Sequence, residues 1–252
     1  MESVAVAFSS GVDSTLLLKT AHDVLGSRCI AVTAHAPFFP ARESAEASEF
    51  CAQEGIRHKT IEVDERAIPG FTDNPPDRCY LCKKTLFTGM QEAALAEGIR
   101  WLAEGSNMDD LGDYRPGLRA IRELGIRSPL REAELTKEEI RILSRQLGFA
   151  TYDKPSFACL ASRFVYGEKI TREKLARVER AENLLMEMGF TQFRVRVHGN
   201  LARIEVLAEE IGRLVAQRGK IHEALTEYGF DYVAMDLMGY RMGSMNKTVS
   251  RS

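Results

Sequence analysis

The chain has no surplus of positive charge: its formal net charge is −2 over 252 residues. A general electrostatic pull toward nucleic acid or an anionic membrane is therefore not expected. It also lacks any apolar run approaching the ~18 residues that a membrane-crossing helix requires. The opening M-E-S-V-A-V-A-F-S-S has no basic region ahead of a long apolar stretch and a cleavage site, so no secretory leader is read there and a cytoplasmic protein is expected. An even set of cysteines is missing too. Cys29, Cys51, Cys79, Cys82 and Cys159 make five, which in a reducing compartment are thiols, metal ligands or catalytic groups, not a disulfide frame. What remains is ordinary for a globular enzyme: 44% apolar and 28% charged residues, in a chain long enough for one large or two modest domains.

Strand-like and helix-like segments alternate up to residue 165, which predicts an α/β fold, a parallel sheet with helices on both faces. Strands are read at 4–8, 30–33, 58–63, 101–104 and 126–130. Helices are read at 13–25, 42–54 and 79–97, with Gly26 and Gly55 stopping the first two. Thr136 and Glu139 form a T-x-x-E capping box for the next helix. Beyond Tyr166 the pattern changes to an amphipathic helix over 171–188, two alternating strands at 192–197 and 201–206, another helix and a last strand at 232–238. The expected organisation is an α/β domain over 1–165 and a small α+β domain over 166–252.

Between the first strand and the first helix stand Ser9, Ser10, Gly11, Val12, Asp13 and Ser14. A tight turn there aims successive backbone N–H groups outward at the positive end of the helix dipole, a site for phosphate that needs no cationic side chain. The Ser9 and Ser14 hydroxyls can donate to phosphate oxygens, and Asp13 is compatible with phosphate if it helps to hold Mg²⁺. No G-x-x-x-x-G-K-[ST] is present, so this is not a Walker loop. The plainer alternative is that Ser10 or Asp13 only caps the helix. Gly105 and Ser106 follow the fourth strand, at the same sheet edge as this turn. Asp109 and Asp110 either hold Mg²⁺ or form a solvated acidic turn.

Cys79 and Cys82 have the C-x-x-C spacing of zinc, iron–sulfur and redox sites, but no second pair completes a zinc set. Cys159 stands alone in F-A-C-L-A. Three thiolates on one iron–sulfur cluster would leave one iron with an open position; alternatively Cys159 is a small core residue, the reading that also suits Cys29 and Cys51. Arg163, four residues after Cys159, can help to keep its sulfur anionic. A two-residue turn at Gly199-Asn200 sets Arg196 opposite Arg203 and Arg194 opposite Glu205, with Phe193, Val195, Ile204 and Val206 on the other face. Opposed like charges are unfavourable unless an anion lies between them. That face therefore receives an anion such as a phosphate, or is simply solvated.

S-S-G-V-D-S resembles the S-G-G-x-D-S signature of the PP-loop ATP pyrophosphatases, with Ser10 in place of the usual second glycine. That resemblance implies ATP as co-substrate, cleaved between its α and β phosphates. P-P-D-R-C-Y-L-C-K, E-G-S-N-M-D-D-L-G-D-Y-R-P-G, K-P-S-F-A-C-L-A-S-R-F, R-V-R-V-H-G-N-L-A-R-I-E-V and G-Y-R-M-G-S-M-N together resemble the LarE family of ATP-dependent sulfur transferases, in the same order and through both domains. The resemblance implies a pyridinium biscarboxylic acid mononucleotide as substrate, adenylated with Mg²⁺ and then thiolated on the way to a nickel-pincer cofactor. It implies that Cys159 bears the sulfur and that Arg194 and Arg196 bind the substrate's phosphate. Glu182 and Glu205 are then acidic residues near the thiolation site. In some family members the cysteine gives up its own sulfur. Members with three cysteines are similar to thiolases with a [4Fe–4S] cluster, which Cys79, Cys82 and Cys159 favour here. A homo-oligomer is implied, with neither nucleic acid nor membrane as partner. A PP-loop tRNA thiolase, an amidotransferase like NAD or GMP synthetase, and a non-catalytic nucleotide-binding protein are the other readings.

Overall fold

The computed structural model describes residues 1–112, 116–155 and 158–241. Asp113 to Arg115, Ser156, Phe157 and the run from Met242 onward, which carry parts of the D-Y-R, K-P-S-F and G-Y-R-M motifs, lie outside the described residues. The chain divides into two units: Met1–Pro69 with Asp77–Ser156, and Gly70–Pro76 with Phe157–Ser252.

The first unit opens with β1 (Val4–Ala7), α1 (Val12–Leu25), β2 (Cys29–His35), α2 (Ala41–Gln53) and β3 (Arg57–Glu62). It continues through α3 (Arg78–Ala96), β4 (Leu102–Ala103), α4 (Gly117–Glu123), α5 (Pro129–Glu132) and α6 (Lys137–Gln146). The strands form one parallel sheet in the order β3-β2-β1-β4, flanked by the helices. This is the α/β architecture expected from the alternation. β1 reads V-A-V-A and β2 is buried over six of its seven residues, as interior parallel strands must be. Val4, Val6, Leu16, Leu18, Cys29, Cys51 and Ile140 share one apolar core. The T-x-x-E box at Thr136 and Glu139 is formed on both sides, each partner satisfying a backbone N–H at the start of α6.

The expected fifth strand at 126–130 is not one. Arg127 makes a single parallel bridge to Ala103, and Pro129 then starts α5. Proline has no N–H to give a sheet ladder and its fixed φ suits the first turn of a helix, so the segment Ile126 to Leu130 leaves the sheet after Arg127.

The second unit contains α7 (Arg172–Glu187), β5 (Phe193–His198), β6 (Leu201–Val206), α8 (Ile211–Ala216), α9 (Arg218–Glu227) and β7 (Tyr232–Met235). Two short helices thus stand where one was expected, and the last strand ends three residues early. The sheet order is β5-β6-β7, antiparallel across the hairpin and parallel to β7. Gly199, at φ +62, makes the two-residue turn possible, and the register pairs Arg196 with Arg203 and Arg194 with Glu205 as expected. Segment 70–76 joins this unit through Asn74, a buried residue at φ +53. Its side chain donates to the Val165 carbonyl at 2.7 Å, its own carbonyl accepts from Gly167 N–H, and the Thr72 carbonyl accepts from Ile170 N–H. Among the described residues no helix is long and apolar enough to cross a membrane.

Candidate functional site

In the first unit the loop after β1 carries the phosphate-site geometry. Gly11 is the N-cap of α1, extended at φ −80 and ψ 161, with no side-chain cap. Neither Ser10 nor Asp13 therefore caps the helix from that position, and its first-turn N–H groups keep their outward polarity. The Ser9 and Ser14 hydroxyls lie 3.2 Å apart, and Ser14 Oγ donates back to the Gly11 carbonyl. Val12 is buried beneath them in the core. Ser10 adopts φ +53, the left-handed conformation that favours glycine, which costs a side-chain-bearing residue roughly 1–2 kcal/mol. Its hydroxyl offsets part of that strain: it lies 3.2 Å from Glu46 Oε2 and 3.3 Å from the Glu43 carbonyl, and accepts from Lys154 Nζ at 3.2 Å.

Side chains from distant sequence close around this loop. Lys137 Nζ pairs with Asp13 Oδ2, and Asn107 Nδ2 donates to Asp13 Oδ1 at 3.0 Å. Lys154 Nζ donates to the Ser10 carbonyl at 2.9 Å and pairs with Glu46. Gly105 packs so closely that a Cβ there would stand 3.1 Å from Ser14 N and 3.2 Å from Asp13 Cβ. Ser106 donates to Glu104, a buried carboxylate that also accepts from Ser128. Asp109 accepts from the Lys137 N–H at the start of α6, and Asp110 accepts from the Asn107 N–H within its own turn. Lys137, Lys154, Asn107 and Glu46 were not singled out from the sequence. Three of them lie beside recognised signals: Asn107 in G-S-N-M-D-D, Lys137 after the capping-box threonine and Lys154 at the head of K-P-S-F.

Cys79 and Cys82 sit about one turn apart at the start of α3, on one face of the helix. Cys82 is buried and Cys79 half-buried, with Arg78 Nη2 3.8 Å from its sulfur. Burial pushes the Cys29 thiol up to about 11 and, together with its neighbour Cys29, the Cys51 thiol up to about 12. Those two are inert core thiols. Cys159 belongs to the second unit and is half-buried, not a core residue. It precedes a 3₁₀ turn, and its carbonyl accepts from Ser162 N–H and from Arg163 Nη1 at 3.2 Å. Within either unit, among the described residues, no three His, Cys, Asp or Glu side chains are grouped to hold a metal ion.

The arginine face of the second unit is buried, not solvated. Arg163 and Glu182 are 0% and 1% exposed and form a two-pronged pair at 2.8 and 2.7 Å. Glu182 also accepts from Val195 N–H at 3.0 Å. Burial alone would raise the Glu182 carboxyl, but the Arg163 charge and hydrogen bonds, the Val195 N–H and the Arg194 charge outweigh it and leave its pKa lowered. Arg196 binds Glu205 Oε2 through Nε at 3.0 Å and Nη2 at 2.9 Å, while Arg203 reaches Oε1 at 3.2 Å. The anion between the opposed arginines is thus the chain's own Glu205. Arg194 lies with its guanidinium 5.0 Å from the Tyr240 ring centre and donates to the Phe193 carbonyl. Burial, joined by the nearby Arg163 charge, lowers it to about 10, so it stays a cation at neutral pH.

No protein-family model matches the chain. It is 36% identical, over its whole length and 92% of the relative's, to the pyridinium-3,5-bisthiocarboxylic acid mononucleotide synthase of Lactiplantibacillus plantarum. It is 44% identical, over its whole length and 94% of the relative's, to an uncharacterized protein of Synechocystis. A weaker likeness, 28% identity over 71% of this chain and 62% of the relative, joins it to a glutamine-hydrolyzing GMP synthase polypeptide of Thermoplasma acidophilum.

Proposed function

We infer the chemistry from one premise: the chain belongs to the LarE family, the pyridinium-3,5-bisthiocarboxylic acid mononucleotide synthases. It is an ATP-dependent sulfur transferase of PP-loop fold that adenylates and thiolates carboxylates of pyridinium-3,5-biscarboxylic acid mononucleotide, in nickel-pincer cofactor biosynthesis. The full-length match to a bisthiocarboxylic acid synthase favours this over the tRNA thiolase, amidotransferase and nucleotide-sensor readings.

ATP lies over the turn Ser9 to Ser14, with Gly105 and Ser106 beside it. A substrate carboxylate oxygen attacks the α-phosphorus, the bond from that phosphorus to the bridging oxygen breaks, and pyrophosphate leaves. Loop amides and the Ser9 and Ser14 hydroxyls receive the departing charge, and Lys137 and Lys154 stand beside the loop as cations for it. Asp13 is the carboxylate at this loop that would hold Mg²⁺, with Asp109 and Asp110 as the further acids proposed for it, and the ion would supply positive charge to the departing pyrophosphate. A sulfur nucleophile presented at Cys159 then attacks the acyl carbon and AMP departs. Arg163 holds the backbone of Cys159, and Glu182 holds Arg163. Arg194 and Arg196 anchor the mononucleotide phosphate beside Glu205.

Cys79, Cys82 and Cys159 are the residues that would hold a [4Fe–4S] cluster; thiol chemistry and the one-turn spacing of the first two suit it. Such a cluster, when bound, supplies an iron without a protein ligand. A homo-oligomer in the cytoplasm completes the reading.

The observation that carries the proposal is the uncapped loop itself, with Ser10 held at positive φ and two lysines drawn to it from the far end of the unit. Incubation with ATP and the biscarboxylic mononucleotide should release pyrophosphate and AMP and yield a product in which sulfur has replaced oxygen. Release of pyrophosphate without any sulfur-bearing product, under anaerobic conditions with reduced cysteines and with iron and inorganic sulfide supplied, would refute the transferase reading.

A further inference from the structure

Residues 194, 196, 203 and 205 share one face of the β5–β6 hairpin, because side chains alternate along each strand. In register Glu205 stands opposite Arg194, yet its carboxylate reaches diagonally to Arg196 and along its own strand to Arg203. Both edges of the Arg196 guanidinium are engaged: Nε and Nη2 by Glu205, and Nη1 by the Ser162 carbonyl at 3.1 Å. An incoming phosphate can therefore take the Nε–Nη2 edge of Arg196 with two parallel hydrogen bonds only if Glu205 yields it. Glu205 is fully buried, and a buried carboxylate is not released from one cation without another to hold it. Arg203 already touches its second oxygen. Asp236 binds Arg203 Nη1 at 3.0 Å, which keeps Nη2 aimed at Glu205, and Arg241 lies behind Asp236 at 3.5 Å. The side chain of Arg203 is 27% exposed, so it has room to follow the carboxylate.

We propose that Arg203 is a positioning residue that takes over the Glu205 carboxylate when the substrate's phosphate takes Arg196, so that the two anions do not compete for one guanidinium. This rests on the reading that Arg194 and Arg196 receive that phosphate. Without Arg203, Glu205 stays on Arg196 and opposes the phosphate by occupancy and by like charge. Removing the Glu205 charge then relieves the defect instead of adding to it, the reverse of what independent structural damage produces.

The experiment is calorimetric titration of pyridinium-3,5-biscarboxylic acid mononucleotide into the full chain without ATP. Arg203→Met should weaken binding about tenfold, the scale of coupling between contacting charged groups. The double variant Arg203→Met with Glu205→Gln should bind more tightly than Arg203→Met alone. If the double variant binds no better, the exchange does not occur. Arg196→Ala separates the two failures: binding equal to wild type would overturn the phosphate reading and this inference together, while lost binding with no rescue would overturn the inference alone. Should Arg203→Met not fold, Arg203→Lys carries the same comparison. It should weaken binding less, and Glu205→Gln in that background should restore it.

Discussion

The loop of the first unit and the hairpin of the second, the two regions proposed to receive phosphate, hold charge in opposite ways. Around the loop, Lys137 and Lys154 are partly exposed and their partners Asp13 and Glu46 are open to solvent as well. Such pairs contribute about 0–1 kcal/mol to stability and can change partner at little cost. Around the hairpin, Arg163 of the preceding 3₁₀ turn and Glu182 of α7 are buried together with Arg194, Arg196 and Glu205 of the strands. Breaking such a pair strands a charge in the interior. The charges of the first region can therefore exchange partners cheaply, while those of the second cannot be separated without cost to the fold.

The comparison can be broken in several ways. Cys159→Ser should lower thiolated product by at least about a thousandfold, the scale of losing a reacting nucleophile, while substrate-dependent pyrophosphate release persists. Loss of both activities together would place Cys159 in the frame and not in the chemistry. Glu182→Ala, read by urea unfolding, should cost about 3–5 kcal/mol because the buried Arg163 charge loses its carboxylate counter-ion. Lys137→Ala should reduce pyrophosphate release about a hundredfold with an unfolding midpoint close to wild type. An equal loss of stability would erase the contrast between the two regions.

pH sharpens the same contrast. The Glu182 pKa is depressed in the fold, so its contribution to stability is present above the unfolded carboxyl value of about 4.3 and is lost as pH falls through the lower folded value. Acid unfolding of wild type should therefore have a component missing from Glu182→Gln. The smallest effect is expected at Ser10→Gly. Relief of positive φ should gain about 1–2 kcal/mol, and glycine's larger entropy loss on folding together with loss of the hydroxyl contacts to Glu46 and Lys154 should offset it, so the midpoint should barely move.

Local rules carried much of the fold. The hairpin register followed from a two-residue turn containing glycine, the capping box fixed the start of α6, and Gly26 and Gly55 ended their helices at positive φ. The segment Ile126 to Leu130 misled because the alternation of elements suggested a fifth strand where Pro129 starts a helix. The placement of segment 70–76 in the second unit had no local signal, since it depends on hydrogen bonds from Asn74 to residues about ninety positions away. The lysines at the loop were equally hidden. Lys137 and Lys154 meet Asp13 and Ser10 across 124 and 144 positions, and no periodicity records such pairings. The arginine face was half legible: register opposed Arg196 to Arg203, but only side-chain geometry revealed that Glu205 mediates between them. The roles proposed for Cys159, Glu182, Arg194 and Arg196 came from family resemblance, because spacing left their alternatives open.

The central claim is that a substrate carboxylate oxygen attacks the α-phosphorus of ATP before sulfur arrives. Substrate labelled with heavy oxygen in its carboxylates tests it directly. For each carboxylate thiolated, the AMP released should carry one heavy oxygen on its phosphate. Unlabelled AMP, or ADP as the nucleotide product, would contradict the account.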